Sequence, residues 1–161
     1  MAPTDDRRRL RGARVAMAVE AVVLLALGVA GLVIAGVRPF TGQTESLVWF
    51  FKLNGLQSVL LLVTAVAAAV ALTGRRALVA VCLLQSFGYL LLFVWGSANG
   101  GNPTSYNLNP ADNALHIVLF IYGMAVAMAV SANAFETHRA PDHRGKPPRG
   151  RRHAGAAAGR R

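Results

Sequence analysis

Residues 77–98 read ALVAVCLLQSFGYLLLFVWGSA, a run of 22 residues without an acid or a base. A helix needs ~20 predominantly apolar residues to cross the ~30 Å hydrocarbon core of a bilayer, and this run has them. A water-soluble helix of the same length alternates an apolar stripe with a charged face at a 3.6-residue period. No such face exists here. Three more windows share this character: Val15–Val37, Leu53–Leu72 and Ala114–Phe135. Glu20 is the only Asp, Glu, Lys or Arg inside any of the four, and Asp112 lies just outside the last.

Composition agrees with that reading. Of 161 residues, 54% are hydrophobic and only 15% charged, and the mean hydropathy is +0.42. The expected fold is an all-α membrane protein with four transmembrane helices in a bundle, over about 15–37, 53–72, 77–98 and 113–135. A basic tail (1–14) precedes this membrane domain (15–137), and a second basic tail (138–161) follows it. The first window follows arginines, as the core of a signal peptide does. It is longer than the 7–15 apolar residues of such a core, and Gly36-Val37-Arg38-Pro39 is a poor cleavage site, so it reads as a retained span. The single cysteine, Cys82, excludes an internal disulfide and a thiolate metal cluster, and reads as a small buried hydrophobe.

The charge pattern orients the chain. Fifteen basic residues fall in the N-terminal tail (Arg7, Arg8, Arg9, Arg11, Arg14), the second loop (Arg75, Arg76) and the C-terminal tail (Arg139 to Arg161). The other side holds only Arg38 and Lys52. By the positive-inside rule both termini are expected in the cytoplasm, which an even number of spans also requires. The Pro-, Gly- and Arg-rich tail from His138 has no apolar period and is expected to be disordered. Its expected partners are the lipid bilayer and anionic headgroups, worth ~1 kcal/mol per basic residue near the surface. No aromatic interleaves the arginines for base stacking, so nucleic acid is not expected as a partner.

An internal echo runs at a register of 55. Phe51-Lys52-Leu53-Asn54-Gly55-Leu56-Gln57-Ser58 aligns with Tyr106-Asn107-Leu108-Asn109-Pro110-Ala111-Asp112-Asn113, and Leu61 aligns with His116. The pattern suggests that spans one and two are duplicated as spans three and four, a parallel repeat of helical hairpins. Locally it reads as a helix entrance. Asn109 is an N-cap, Pro110 suits the first helical position, and Asp112 at the third favours the positive end of the dipole. Asn54 with Gln57 is a weaker version of the same box. Upstream, Trp49–Leu53 and Ser105–Leu108 read as short extended pieces at the outer headgroup level, with the potential to pair as a ribbon.

Polar and small residues align along helical stripes: Asn54, Gln57, Ser58, Leu61 and Thr64; Cys82, Gln85, Tyr89 and Gly96; Asp112, His116, Gly123, Ala127 and Ser131. Below Glu20, Gly28, Gly31 and Ala35 do the same. This predicts a close-packed bundle with a polar patch toward the outer half and small-residue seams. The candidate polar site is Asn109, Asp112, Asn113 and His116 with Asn54 and Gln57. Asp112 four residues before His116 could fix the imidazole tautomer. Against that, both lie in the first turns, where water is expected to reach, which favours a capping role. Glu20 either snorkels toward Arg14 and water or, if deeper, needs a partner such as Gln85. A direct Glu20–His116 pair is not expected, since they belong near opposite faces. Gln85 reads as interhelical packing glue, worth ~0.6–2 kcal/mol.

These residues resemble a group of small bacterial four-helix membrane proteins defined only as a domain of unknown function. That group opens its second span with Asn-x-x-His-Asn-x-x-His-Leu and its fourth with a similar element. The fourth-span element stands here as Asn109-Pro110-Ala111-Asp112-Asn113-Ala114-Leu115-His116. In the second, Asn54 stands, but Gln57 and Leu61 occupy the histidine positions and Ser58 replaces the asparagine. The resemblance spans roughly residues 15–135 and implies fold and location only. A two-element histidine site is incomplete in this chain.

No catalytic residue, metal ligand set or cofactor site emerges: one histidine lies in the bundle, and His138, His143 and His153 are scattered in the tail. The expected function is non-enzymatic, a structural, assembly or small-ligand role in the cytoplasmic membrane, with self-association into a homo-oligomer open. The alternative is a proton-responsive channel or transporter subunit using Asp112 and His116, which with four spans would require oligomerisation.

Overall fold

The computed structural model describes residues 3–35, 40–42, 47–48, 51–99 and 109–139. Four helices follow one another: α1 (Pro3–Ala35), α2 (Gly55–Ala71), α3 (Arg75–Asn99) and α4 (Pro110–Arg139). Before α2, β1 (Leu47–Val48) pairs antiparallel with β2 (Phe51–Lys52), Leu47 opposite Lys52 and Val48 opposite Phe51. Three helices, α1, α3 and α4, are long and apolar enough to cross a membrane. The fourth, α2, has 17 residues, about 25 Å at 1.5 Å per residue, and is the short member.

Helix boundaries follow local chemistry. α1 begins at Pro3, well before the basic cluster, with Asp5 and Asp6 in its first turn, where the dipole favours acids. The arginines of the N-terminal tail are therefore a helical extension of the first span, about 50 Å long in all. α4 runs through Arg139, slightly past the expected start of the C-terminal tail; residues 140–161, where disorder was expected, lie outside the described ones. α2 opens on a full reciprocal capping box. The Gln57 backbone N–H donates to Asn54 Oδ1 at 2.9 Å, and the Asn54 N–H donates to Gln57 Oε1 at 3.3 Å. The entrance expected to be the weaker one thus carries the complete motif.

Phe51–Lys52 is extended and pairs with the adjacent Leu47–Val48, a partner that closes at low entropic cost. The expected pairing with Ser105–Leu108 lies outside the described residues, as do Trp49–Phe50. Phe51 is buried, and β2 rests against α4.

Packing confirms two hairpins: α1 lies chiefly against α2, and α3 against α4. At the ribbon end, Ser58 of α2 sits over Gly31 of α1, and Asn113 of α4 sits over Gly96 of α3. A Cβ on Gly31 would collide with the buried Ser58 hydroxyl, so the close approach there requires glycine. Ser58 and Asn113 are 55 residues apart, as the echo requires. Two apolar clusters fill the bundle. Met17, Ala68, Ala71, Leu78 and Cys82 form the one nearer the termini, and Leu24, Leu53, Leu61, Tyr89 and Leu119 the one nearer the ribbon.

Candidate functional site

Every described member of the expected stripes faces inward. Asn54, Gln57, Ser58, Leu61, Thr64, Cys82, Gln85, Tyr89, Gly96, Asp112, His116, Gly123 and Ala127 are buried, and Ser131 is half-buried. At the ribbon end Asn109 caps α4. Its Oδ1 accepts from the backbone N–H groups of Ala111 (3.0 Å) and Asp112 (3.1 Å), and its Nδ2 donates to Asp112 Oδ2. Gln57 Nε2 donates to the same carboxylate oxygen at 3.1 Å. Asn54 Nδ2 reaches back to the Gly42 carbonyl at 2.9 Å, tying residues 40–42 to the entrance of α2. Asn113 stands apart from this group, donating through Nδ2 to Ser97 Oγ at 3.0 Å.

Two expectations are corrected. Asp112 and His116 are 1% and 4% exposed, so the bundle, not water, surrounds them. Both sit in the opening turns of α4, but the ribbon and α2 close over those turns. Asp112 also does not hold the imidazole. Its Oδ2 is taken by Gln57 and Asn109, while Asp112 Oδ1 and His116 Nδ1 have no partner among the described residues. The imidazole instead lies against the Tyr89 ring, centroids 5.6 Å apart and tilted by 32°. The Tyr89 hydroxyl is 2.8 Å from Thr64 Oγ1, which itself donates to the Leu60 carbonyl at 2.9 Å. Asp112, His116, Gln57 and Tyr89, with leucines, surround a cavity the size of a single water molecule.

Deeper in the bundle, Glu20 is buried and Gln85 Nε2 donates to its Oε1. Of the two placements expected for Glu20, the interior one holds, because its side chain is buried and meets the expected partner Gln85. Sequence reasoning treated Gln85 as packing glue and left Tyr89, Thr64 and Glu20 out of the site. The signal that finds them is a second register. Glu20 and Gln85 are 65 residues apart, as are Met17 and Cys82, whose Sγ–H meets the methionine sulfur at 3.5 Å. Helices α1 and α3 correspond at 65, and α2 and α4 at 55, so the first hairpin's connection is ten residues longer and holds the ribbon.

Residues 14–132 match the family described as a domain of unknown function, DUF4383. The chain belongs to that family. No curated protein and no solved structure matches the chain. The DUF4383 region takes in the polar column from Glu20 to Asp112 and stops before the last turns of α4. Among the described residues no three His, Cys, Asp or Glu side chains converge as a metal site.

Proposed function

We propose that this DUF4383 protein is a non-enzymatic, multi-pass protein of the cytoplasmic membrane that binds a lipophilic small molecule between its two hairpins. The observation that carries this reading is a crevice of about 600 Å³ between α2 and α3. Its walls are Leu60, Val63 and Ala67 on one side and Leu84, Leu91 and Trp95 on the other, with Thr64, Gln85 and Tyr89 also lining it. Small-ligand sites have this make-up: ~300–1,000 Å³, apolar walls and a few polar groups that fix orientation. The crevice lies within the apolar spans, so its ligand arrives from the lipid phase.

A non-catalytic role is supported by the polar centre. Asp112 is occupied by two amides and His116 is stacked on Tyr89, so the two do not form the acid–imidazole pair of general-base chemistry. The excess of arginine at the termini and the α2–α3 turn supports placing that end in the cytoplasm and the ribbon outside. The same arginines fit anionic headgroups.

Gly88 provides the test. It lines the crevice, and a Cβ there would meet nothing within 4 Å, so Gly88→Leu sends a side chain into the crevice from an open position. A photoactivatable long-chain alcohol in liposomes is expected to label α2 and α3 in the native chain and to lose that labelling in Gly88→Leu. Even labelling of all four helices, or labelling indifferent to the substitution, would overturn the reading.

A further inference from the structure

We propose that Glu20 is a proton-binding carboxyl inside the bundle, exchanging protons with the ribbon end through a column of Gln85, Tyr89, His116 and Asp112. The inference is independent of any ligand in the α2–α3 crevice.

The repeat supplies an internal comparison. In the first hairpin the positions of Tyr89 and His116 are held by Leu24 and Leu61, both buried in the same apolar cluster as Tyr89. Two leucines therefore satisfy the packing that this fold demands there. The tyrosine and histidine of the second hairpin exceed that demand, and ionisable groups within a membrane bundle are retained at a cost unless they work.

The unpartnered atoms mark a path. Buried polar atoms in folded proteins nearly always find partners, protein or ordered water. Here Glu20 Oε2, Gln85 Oε1, His116 Nδ1 and Asp112 Oδ1 have none among the described residues, and all four side chains are more than nine-tenths buried. They are stacked along the axis. Gln85 and Tyr89 are one helical turn apart, about 6 Å, as are Asp112 and His116. The cavity between Asp112, His116, Gln57 and Tyr89 has room for one water, which could donate to Asp112 Oδ1 and reach His116 Nδ1.

Toward the termini the column is closed. The Met17–Cys82 sulfur contact lies one turn below Glu20, and Met17, Ala68, Ala71 and Leu78 are fully buried there. The side left for exchange is the ribbon end, where the half-buried Asn109 binds Asp112. Among the described residues, the titratable groups that interact with Glu20 are Cys82 and Tyr89 of α3 and Tyr122 of α4. Helix α2 (residues 55–71) has no charged or titratable side chain. With no cation among these neighbours, the carboxylate form of Glu20 has no countercharge and a proton is its natural ligand. Each exchange takes one proton from hydronium at the ribbon end, with one water released. The proton passes as a transient N–H on His116 and as O–H on the Tyr89 hydroxyl and intervening water, and is left as O–H on the Glu20 carboxylate that Gln85 orients.

The test uses the full chain in liposomes and infrared difference spectra after a pH jump. A carboxyl signal absent from Glu20→Gln is expected. In His116→Leu, which copies the Leu61 position, that signal is expected to persist at equilibrium but to rise several-fold more slowly. Tyr89→Phe, which keeps the ring and removes the hydroxyl, is the second variant should His116→Leu fail to fold. No signal assignable to Glu20, or an unchanged rate in both variants, would overturn the proposal.

Discussion

Gln57 donates to Asp112 across 3.1 Å, and the two residues are the same position in two copies of one hairpin. A position meets its own counterpart only on the axis that relates the copies, as in a two-fold interface between identical subunits. Glu20–Gln85 and Met17–Cys82 meet in the same way on the other helix pair. The pseudo-two-fold axis therefore runs along the bundle. In each polar pair one hairpin supplies a carboxylate and the other an amide: the acid is on the first hairpin at Glu20 and on the second at Asp112. In each pair the acid therefore meets a neutral amide donor and no like charge.

Breaking the pair from one side is expected to cost more than removing it. Gln57→Leu leaves the buried Asp112 with one fewer donor, a loss of about 1–3 kcal/mol for an unsatisfied buried group. Replacing both Gln57 and Asp112 by leucine removes the need along with the bond, and stability is expected to recover part of that loss. Unfolding free energies of the two single variants and the double variant check this, and strict additivity would contradict it.

His116→Leu is expected to leave stability within about 1 kcal/mol of the native value, because Leu61 already fills the equivalent place. His116→Ala is expected to cost about 2 kcal/mol or more, since the Tyr89 ring then borders a void. Melting midpoints of the purified variants measure the contrast. If His116→Leu is the more damaging of the two, the imidazole has a structural bond that packing does not account for.

The four apolar runs, the hairpin repeat and the inward stripes were all legible in the sequence, because a bilayer span reveals itself by length and by absent charge. The site was legible only in part. The register of 55 exposed Asn54, Gln57, Asn109 and Asp112, since caps are local patterns at fixed spacing. Glu20, Gln85 and Tyr89 were not joined to it, because α1 and α3 share no local motif and their register differs by the length of the ribbon connection. Burial of Asp112 and His116 was also hidden. It depends on the ribbon and α2 closing over the first turns of α4, a tertiary effect with no trace in the octapeptide itself.

Asn54→Ala is expected to lower stability by about 1–2 kcal/mol through loss of the capping box. It also releases the Gly42 carbonyl, so the loss should exceed that of a simple surface cap. Hydrogen exchange is expected to rise first in the opening turn of α2 and around residues 40–42, leaving α3 unaffected. Uniform loss of protection over all four helices would instead mean that the cap holds the whole bundle.

Alanine at the two equivalent glycines is expected to have unequal effects. At Gly31 the added Cβ meets Ser58, which is fully buried and bound through its hydroxyl to the Asn54 carbonyl at 2.9 Å, with Leu53 Cδ1 3.2 Å away. Neither neighbour can withdraw without breaking the entrance of α2, so Gly31→Ala is expected to cost about 1–3 kcal/mol, the usual penalty of overpacking. At Gly96 the obstacle is the end of the Asn113 side chain, half-buried and bound only to the exposed Ser97. That side chain can swing outward, and the better helix propensity of alanine, ~1 kcal/mol over glycine, offsets the lost contact. Gly96→Ala is therefore expected to be near neutral. Denaturation of the two variants in the same detergent decides the order, and equal losses would show that the two hairpins, alike in register, are also alike in rigidity.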